Sequence, residues 1–269
     1  MSSNPFLVTI PHSGEKVPDS AVWLKNLPEE VLMCDVDRYV DRLYEPALKD
    51  LEIPYIKTEW HRYAGDLNRL PEDIDASTVI GCEKPAGQNS RGFLWGITTT
   101  EKVLMPAPVS ADVHRSLVKL IYEPFHASIR DSYEILLKNS RGKLYHLDAH
   151  SMPSVGTRQH RDPGERRADI VVSDSHGKSC AKDYRDLVIA AYCAAGFKVG
   201  YNWPYFGGRL TEQYGNPSRG HHVLQVELNR DLYMDETTKR IKESHVEIQK
   251  KIRQALGYIH ENLDHLGHR

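Results

Sequence analysis

The 269-residue chain has little cysteine: Cys34, Cys82, Cys180 and Cys193 lie far apart, and no two form a CxxC pair. That spacing excludes a zinc knuckle and gives no disulfide framework, so reduced thiols in a cytoplasm are expected. No apolar run approaches the length of a membrane span, and the segment Met1-Ser2-Ser3-Asn4-Pro5-Phe6 lacks a basic region leading into a long apolar core. Neither export nor membrane anchoring is expected. Net charge is also small. The 35 Lys and Arg against 37 Asp and Glu leave a formal charge of -2, with no electrostatic bias toward nucleic acid or an anionic membrane. No repeat, low-complexity tract or linker divides the chain, so a single domain over 1–269 is expected, long enough to bury a sizeable core.

Histidine, by contrast, is plentiful at fourteen residues. Two histidines fall at the ends of apolar runs. The stretch Lys143 to Pro153 reads as a buried parallel strand that breaks at the proline and whose carboxyl end opens a site. His150 is there a candidate metal ligand, with Asp148 on the same strand face, two residues back. Phe6 to Ile10 reads as a first strand ending at Pro11-His12-Ser13-Gly14, which places His12 at a strand end as well. The sequence offers two sources for a carboxylate partner. Glu15 follows His12 at the spacing of an HxxE ligand pair. Alternatively Asp35 or Asp37, at the acidic start of a helix read over 28–51 from Val31, Leu32, Val36, Val40, Leu43 and Leu48, points back at His12.

After a strand at Ile53 to Ile56, the loop 60–71 carries Arg62 and Arg69, two guanidinium groups seven residues apart, with Asn68 beside the second. A guanidinium grips a carboxylate in a bidentate fork or stabilises charge on a carbonyl oxygen, so an anionic substrate is implied if both face the site. Residues 76–109, rich in Gly, Pro, Thr and Ser, read as an excursion of loops and short strands and a candidate lid. A long amphipathic helix is expected over 111–139, strands over 169–173 and 197–201, a helix over 179–195, and a final helix over 237–263. This alternation indicates an α/β fold with a mixed, mostly parallel sheet flanked by helices. The basic loop 154–167, including Arg158, is a candidate anion contact, as are Arg209 and Tyr214 in the stretch 207–217. Residues 222–230 alternate as a strand with Gln225, Glu227 and Asn229 on one face. Glu227 is then a candidate general base beside a metal-activated water.

Six segments, in order, carry a resemblance: Pro11-His12-Ser13-Gly14, Asp35 to Tyr44, Asp66-Leu67-Asn68-Arg69, Asp148 to Met152, Arg167 to Val171, and Leu224 to Met234. Over nearly its whole length the chain resembles the N-formylglutamate amidohydrolase family, itself similar to zinc carboxypeptidases, aspartoacylases and succinylglutamate desuccinylases. The resemblance implies a zinc-carboxypeptidase-like fold and one zinc ion held by His12, His150 and a carboxylate. An acid at position 15 is not characteristic of the family whereas the Asp35 and Asp37 pattern is, so Asp37 is preferred over Glu15. By the same likeness Glu227 is the base, Asn68 and Arg69 hold the substrate carboxylate, and Arg62 polarises the scissile carbonyl. The implied reaction is hydrolysis of N-formyl-L-glutamate to glutamate and formate, a step of histidine degradation in members of this family. Arg158, Arg209 and Tyr214 are expected to read the substrate side chain. The same constellation suits another small anionic N-acyl amino acid or a peptide carboxyl terminus, in a roomier pocket shaped by 76–109. A catalytically silent anion binder is a third reading, against which stands Glu227, a base that a pure binder does not need.

Overall fold

In the computed structural model, which describes residues 5–138, 140 and 142–266, six apolar runs become strands. They are β1 (Phe6–Ile10), β2 (Tyr55–Lys57), β3 (Leu144–Met152), β4 (Ile170–Ser173), β5 (Val199–Tyr201) and β6 (His221–Asn229). Their order in one sheet is β2-β1-β3-β6-β4-β5, parallel throughout except for the antiparallel pair β4 and β6. The helices are α1 (Glu29–Leu32), α2 (Val40–Asp50), α3 (Ala111–Leu117), α4 (Glu123–Lys138), α5 (Lys182–Ala194), α6 (Arg209–Tyr214) and α7 (His245–Asn262). The result is a single α/β domain whose mixed, mostly parallel sheet is flanked by helices, as its strand and helix periodicities indicate. No helix among the described residues is long and apolar enough to cross a membrane.

The alternation of side chains along β1, β3 and β6 decides where chemistry can sit. On one face Phe6, Val8, Tyr145, Leu147, Ala149, Leu224 and Val226 are buried in a core shared with the apolar stripes of α2, α5 and α7. On the other face Leu7, Leu144 and Val223 join a second core under α4 with Phe125, Ile129 and Tyr133. Toward the carboxyl ends of the strands that second face turns polar. Thr9 is in register with Asp148 and Asp148 with Gln225, and the next row pairs His150 with Glu227. Because β1, β3 and β6 are parallel, these ends open on the same edge of the sheet.

A buried polar group left unpaired costs about 1–3 kcal/mol, so this row has to satisfy itself. The Thr9 hydroxyl donates to Asp148 at 2.7 Å, lies 2.8 Å from His146 Nε2, and His146 Nδ1 is 2.9 Å from the Tyr133 hydroxyl.

The helix expected over 28–51 is two helices with a loop between them. Tyr39 takes a left-handed backbone (φ 71°) just before α2, and Asp37 N–H donates to His12 C=O at 2.9 Å. Asp35 and Asp37 therefore sit on a loop drawn against the end of β1, not on a helix start. The helix expected over 111–139 runs from α3 through a π-helical segment, Val118–Tyr122, into α4; its expected last residue, Asn139, lies outside the described residues. The final helix begins only at His245. The excursion 76–109 forms a packed wall of the site instead of a lid. Phe93, Leu94 and Trp95 are buried, Phe93 C=O accepts from Asp66 N–H, and Thr99 N–H donates to Asp35.

Two residues beyond His12, the backbone of Gly14 lies against the segment Glu59-Trp60, where a Cβ would meet Trp60 O at 2.4 Å and Glu59 C at 2.5 Å. Neither contact can yield without moving main chain on both sides. Gly14→Ala is expected to lower stability by about 1–3 kcal/mol, the usual cost of overpacking. It would be read as a lower urea midpoint at unchanged slope; an unchanged midpoint would show that the two segments separate freely.

Candidate metal centre and active site

His12 just past β1, Asp37 on the loop before α2, and His150 near the end of β3 converge although the chain separates them widely. All three are buried, and one ligand atom from each lies within 4.8 Å of the others. His150 Nδ1 is 3.0 Å from Asp37 Oδ2, and His12 Nδ1 is 3.6 Å from that same oxygen. The opposite ring nitrogens are each held by a carboxylate. His12 Nε2 is 2.7 Å from Asp66 Oδ1, and His150 Nε2 is 2.7 Å from Asp148 Oδ2. The remaining Asp37 oxygen accepts from the Ser151 hydroxyl at 3.1 Å and from Arg230 at 3.0 Å. Every neighbour thus turns Asp37 Oδ2 and the two Nδ1 atoms inward.

This arrangement has a chemical consequence. Ionised Asp66 and Asp148 only accept hydrogen bonds, so each requires the proton on the facing Nε2. Both Nδ1 lone pairs then point at a carboxylate oxygen, with no donor between them. His12 Nδ1 is buried and has no hydrogen-bond partner. Three convergent lone-pair donors of His, His and Asp type, each imidazole oriented by a second carboxylate, form the donor set of a divalent cation. The residues fit such an ion. Burial alone would depress the His150 imidazole, but Asp148 and Asp37 lift it well above its ordinary range. Burial would likewise raise Asp37, yet the two imidazoles hold it well below the usual carboxylate range.

Glu227 stands beside His150 across β3 and β6, and Gln225 donates to it at 2.7 Å. Burial pushes its carboxyl above the ordinary value, against the opposing pull of His150. Arg62 donates to Asp35 C=O at 2.7 Å and to Asp66 at 2.9 Å, lies over the Trp95 ring, and keeps a buried Nε with no partner. Asn68 Oδ1 accepts from Leu210 N–H at 2.7 Å. With Arg69, these residues line one cavity of about 660 Å³, walled also by the 87–92 segment, His160, Arg161 and Tyr205. A hollow of that size takes a small organic ligand.

Four expectations fail on geometry. Glu15 is not part of the cluster; its carboxylate pairs with Arg38 at 2.9 Å. The spacing of an HxxE pair works when a turn or helix brings both residues to one side, but the chain after Pro11 runs extended beside Trp60. Arg158 is exposed and outside the cavity. Arg209 begins α6 and turns toward Glu212. Tyr214 is buried in the second core, where its hydroxyl meets His126 Nδ1 at 2.7 Å. Sequence reading also passed over Asp66, Ser151, Trp95, Arg91 and Arg230. A signal was present for Asp66, whose charge follows Tyr63-Ala64-Gly65 and precedes Leu67, a setting that buries a charge only when it is paired.

Comparison with known proteins points the same way. A model of the N-formylglutamate amidohydrolase family matches residues 4–234. An N-formylglutamate deformylase of Pseudomonas putida is 29% identical over 239 residues, covering 87% of this chain and 83% of that protein. The N-formylglutamate deformylase of Pseudomonas aeruginosa is 28% identical over 237 residues, covering 86% and 83%. The crystal structure of an N-formylglutamate amidohydrolase from Ralstonia eutropha JMP134 superposes with a TM-score of 0.86 at 26% identity, over 97% of this chain and 94% of that one. Since the match runs through every segment that builds the cavity, from His12 to Arg230, the chain belongs to the N-formylglutamate amidohydrolase family.

Proposed function

We propose that the protein is a metal-dependent amidohydrolase that cleaves the N-formyl amide of N-formyl-L-glutamate, releasing glutamate and formate. The observation that carries this reading is the convergence of three buried lone-pair donors beside the carboxylate of Glu227. His12, Asp37 and His150 would hold the ion. Zinc suits their nitrogen and oxygen donors, and when bound it supplies the Lewis acidity that makes water nucleophilic near neutral pH. Glu227 takes the proton of the attacking water as its oxygen bonds to the formyl carbon. It then gives that proton to the amide nitrogen as the carbon–nitrogen bond breaks. Burial raises its carboxyl above the ordinary value, which strengthens it as the acceptor of the water proton. Arg62, held by Asp66 and Asp35, stabilises the charge growing on the formyl oxygen. Asn68 and Arg69 hold the substrate α-carboxylate.

The size of the cavity favours a second reading, hydrolysis of a larger N-acyl amino acid or of a peptide's carboxyl-terminal residue. The two are separated by formate release from N-formyl-L-glutamate, run beside N-acetyl, N-succinyl and dipeptide substrates. Zinc-loaded protein is expected to release formate, to lose that activity on chelation, and to recover it when zinc is returned. Turnover of another amide alone would keep the chemistry and discard the substrate. Silence across the panel in folded, zinc-loaded protein would leave an anion binder.

A further inference from the structure

Five arginines line the cavity: Arg62, Arg69, Arg91, Arg161 and Arg230. Two are neutralised by buried carboxylates, Arg62 by Asp66 at 2.9 Å and Arg230 by Asp37 at 3.0 Å. Among the described residues, Arg69, Arg91 and Arg161 have no carboxylate partner. A substrate built on glutamate brings two carboxylates, and Asn68 with Arg69 accounts for one. We propose that Arg91 binds the side-chain carboxylate and sets the preference for a dicarboxylate substrate. This rests on the reading of the protein as a hydrolase of an N-acyl glutamate.

Three features single out Arg91. First, it is coupled to Arg69: the Arg91 carbonyl accepts from Arg69 Nε at 3.2 Å, while Arg69 Nη1 donates to Asn68 C=O at 2.8 Å. The Arg69 guanidinium therefore rests against the main chain of Arg91, and both residues border the same cavity. Second, its main chain is fixed. Gly92 N–H donates to Asn89 C=O at 2.9 Å and Phe93 N–H to Asp73 C=O at 2.8 Å. A Cβ on residue 92 would come 1.7 Å from Asp73 O, so only glycine can follow Arg91 here. Third, one corner of the guanidinium is braced, with Nη2 donating to Gln159 Oε1 at 3.2 Å, and its other donors are left for a ligand. Arg161 is placed differently. It is exposed, its guanidinium lies 4.4 Å from the Phe206 ring, and it borders a second hollow as well. A bidentate guanidinium–carboxylate pair is specific because replacing the carboxylate by an amide removes charge and one acceptor together.

The test compares kcat/KM for N-formyl-L-glutamate with that for its neutral isostere N-formyl-L-glutamine, in wild type, Arg91→Gln and Arg91→Lys. Calorimetric binding of L-glutamate against L-glutamine to the zinc-loaded proteins gives a readout that needs no turnover. Wild type is expected to prefer the glutamate compound. Arg91→Gln should reduce that ratio by about ten- to a hundredfold, the worth of a charged hydrogen bond, and Arg91→Lys should keep part of it. A ratio unchanged in Arg91→Gln, with formate still released from N-formyl-L-glutamate, would overturn the assignment and leave the reaction standing. A ratio that falls in Arg161→Gln instead would overturn it equally. If wild type releases no formate yet binds L-glutamate over L-glutamine, and Arg91→Gln loses that difference, the reaction falls and the carboxylate site stands. Absence of both the binding preference and formate release would remove both.

Discussion

Glu227→Gln is expected to lower kcat for formate release by about 10²- to 10⁴-fold, the usual worth of a positioned general base, with metal content unchanged. The substitution keeps the shape of the side chain. It also keeps an oxygen able to accept from Gln225, the neighbour that holds Glu227 at 2.7 Å. What it removes is the capacity to take a proton from water and return it to the leaving nitrogen. The strand position makes this a clean experiment. Glu227 and His150 are register partners across β6 and β3, but the convergent donor atoms belong to His12, Asp37 and His150. Full kcat in the variant would take Glu227 out of proton transfer. Loss of the ion, measured by elemental analysis, would make it a ligand instead.

Asp37→Ala carries the largest expected effect on the folded state. Asp37 is 1% exposed, and it is touched by both imidazoles, the Ser151 hydroxyl and Arg230, itself 3% exposed. Truncation removes one metal donor and leaves the Arg230 guanidinium buried without its carboxylate. The first change should abolish stoichiometric metal binding. The second should destabilise the chelated protein by about 3–5 kcal/mol, as breaking a buried ion pair does. Unfolding in urea with chelator present separates the two, since no bound ion then contributes to the midpoint. A loss under about 1 kcal/mol, below the range for a broken buried pair, would show that Arg230 finds equivalent partners among Cys34 C=O, Asp35 C=O and Ser151, all of which it already reaches.

Much of this architecture is legible from local pattern. β3 is readable as an apolar run broken by a proline, and its polar residues His146, Asp148 and His150 fall at every second position, which puts them on one face. β6 is readable for the same reason through Gln225 and Glu227. The break between α1 and α2 is not. Apolar spacing continues through Val36, which is buried, while the loop is fixed by Tyr63 and Thr99 hydrogen-bonding to Asp35 from 28 and 64 residues away. Contacts of that range leave no periodic trace. The carboxylate beside His12 fails from spacing for a related reason: sequence distance favours Glu15, but an extended chain turns it toward Arg38 while a distant loop supplies Asp37. Tyr214 and Arg209 lie in a polar, glycine-bounded stretch that looks like a binding loop. It folds as α6, whose buried side feeds the second core. Arg91 is hidden in a glycine-rich segment whose rigidity comes from Asp73 and Asn89, not from any recognisable element.

The order of strands in the sheet also bears on when the protein becomes competent. β1, β3 and β6 are neighbours in space, yet the Thr9 to Asp148 bond closes a span of 139 residues and the Arg230 to Asp37 pair one of 193. Closing such spans is entropically slow, and pairings of this range form late as a chain folds. β6 also has to insert between β3 and β4, so its arrival completes the sheet and the site together. A chain still emerging from the ribosome, or one clipped before residue 221, carries His12, Asp37 and His150 but lacks Glu227 and the Asp37 partner Arg230. Proton transfer by Glu227 would therefore become available only at the end of folding.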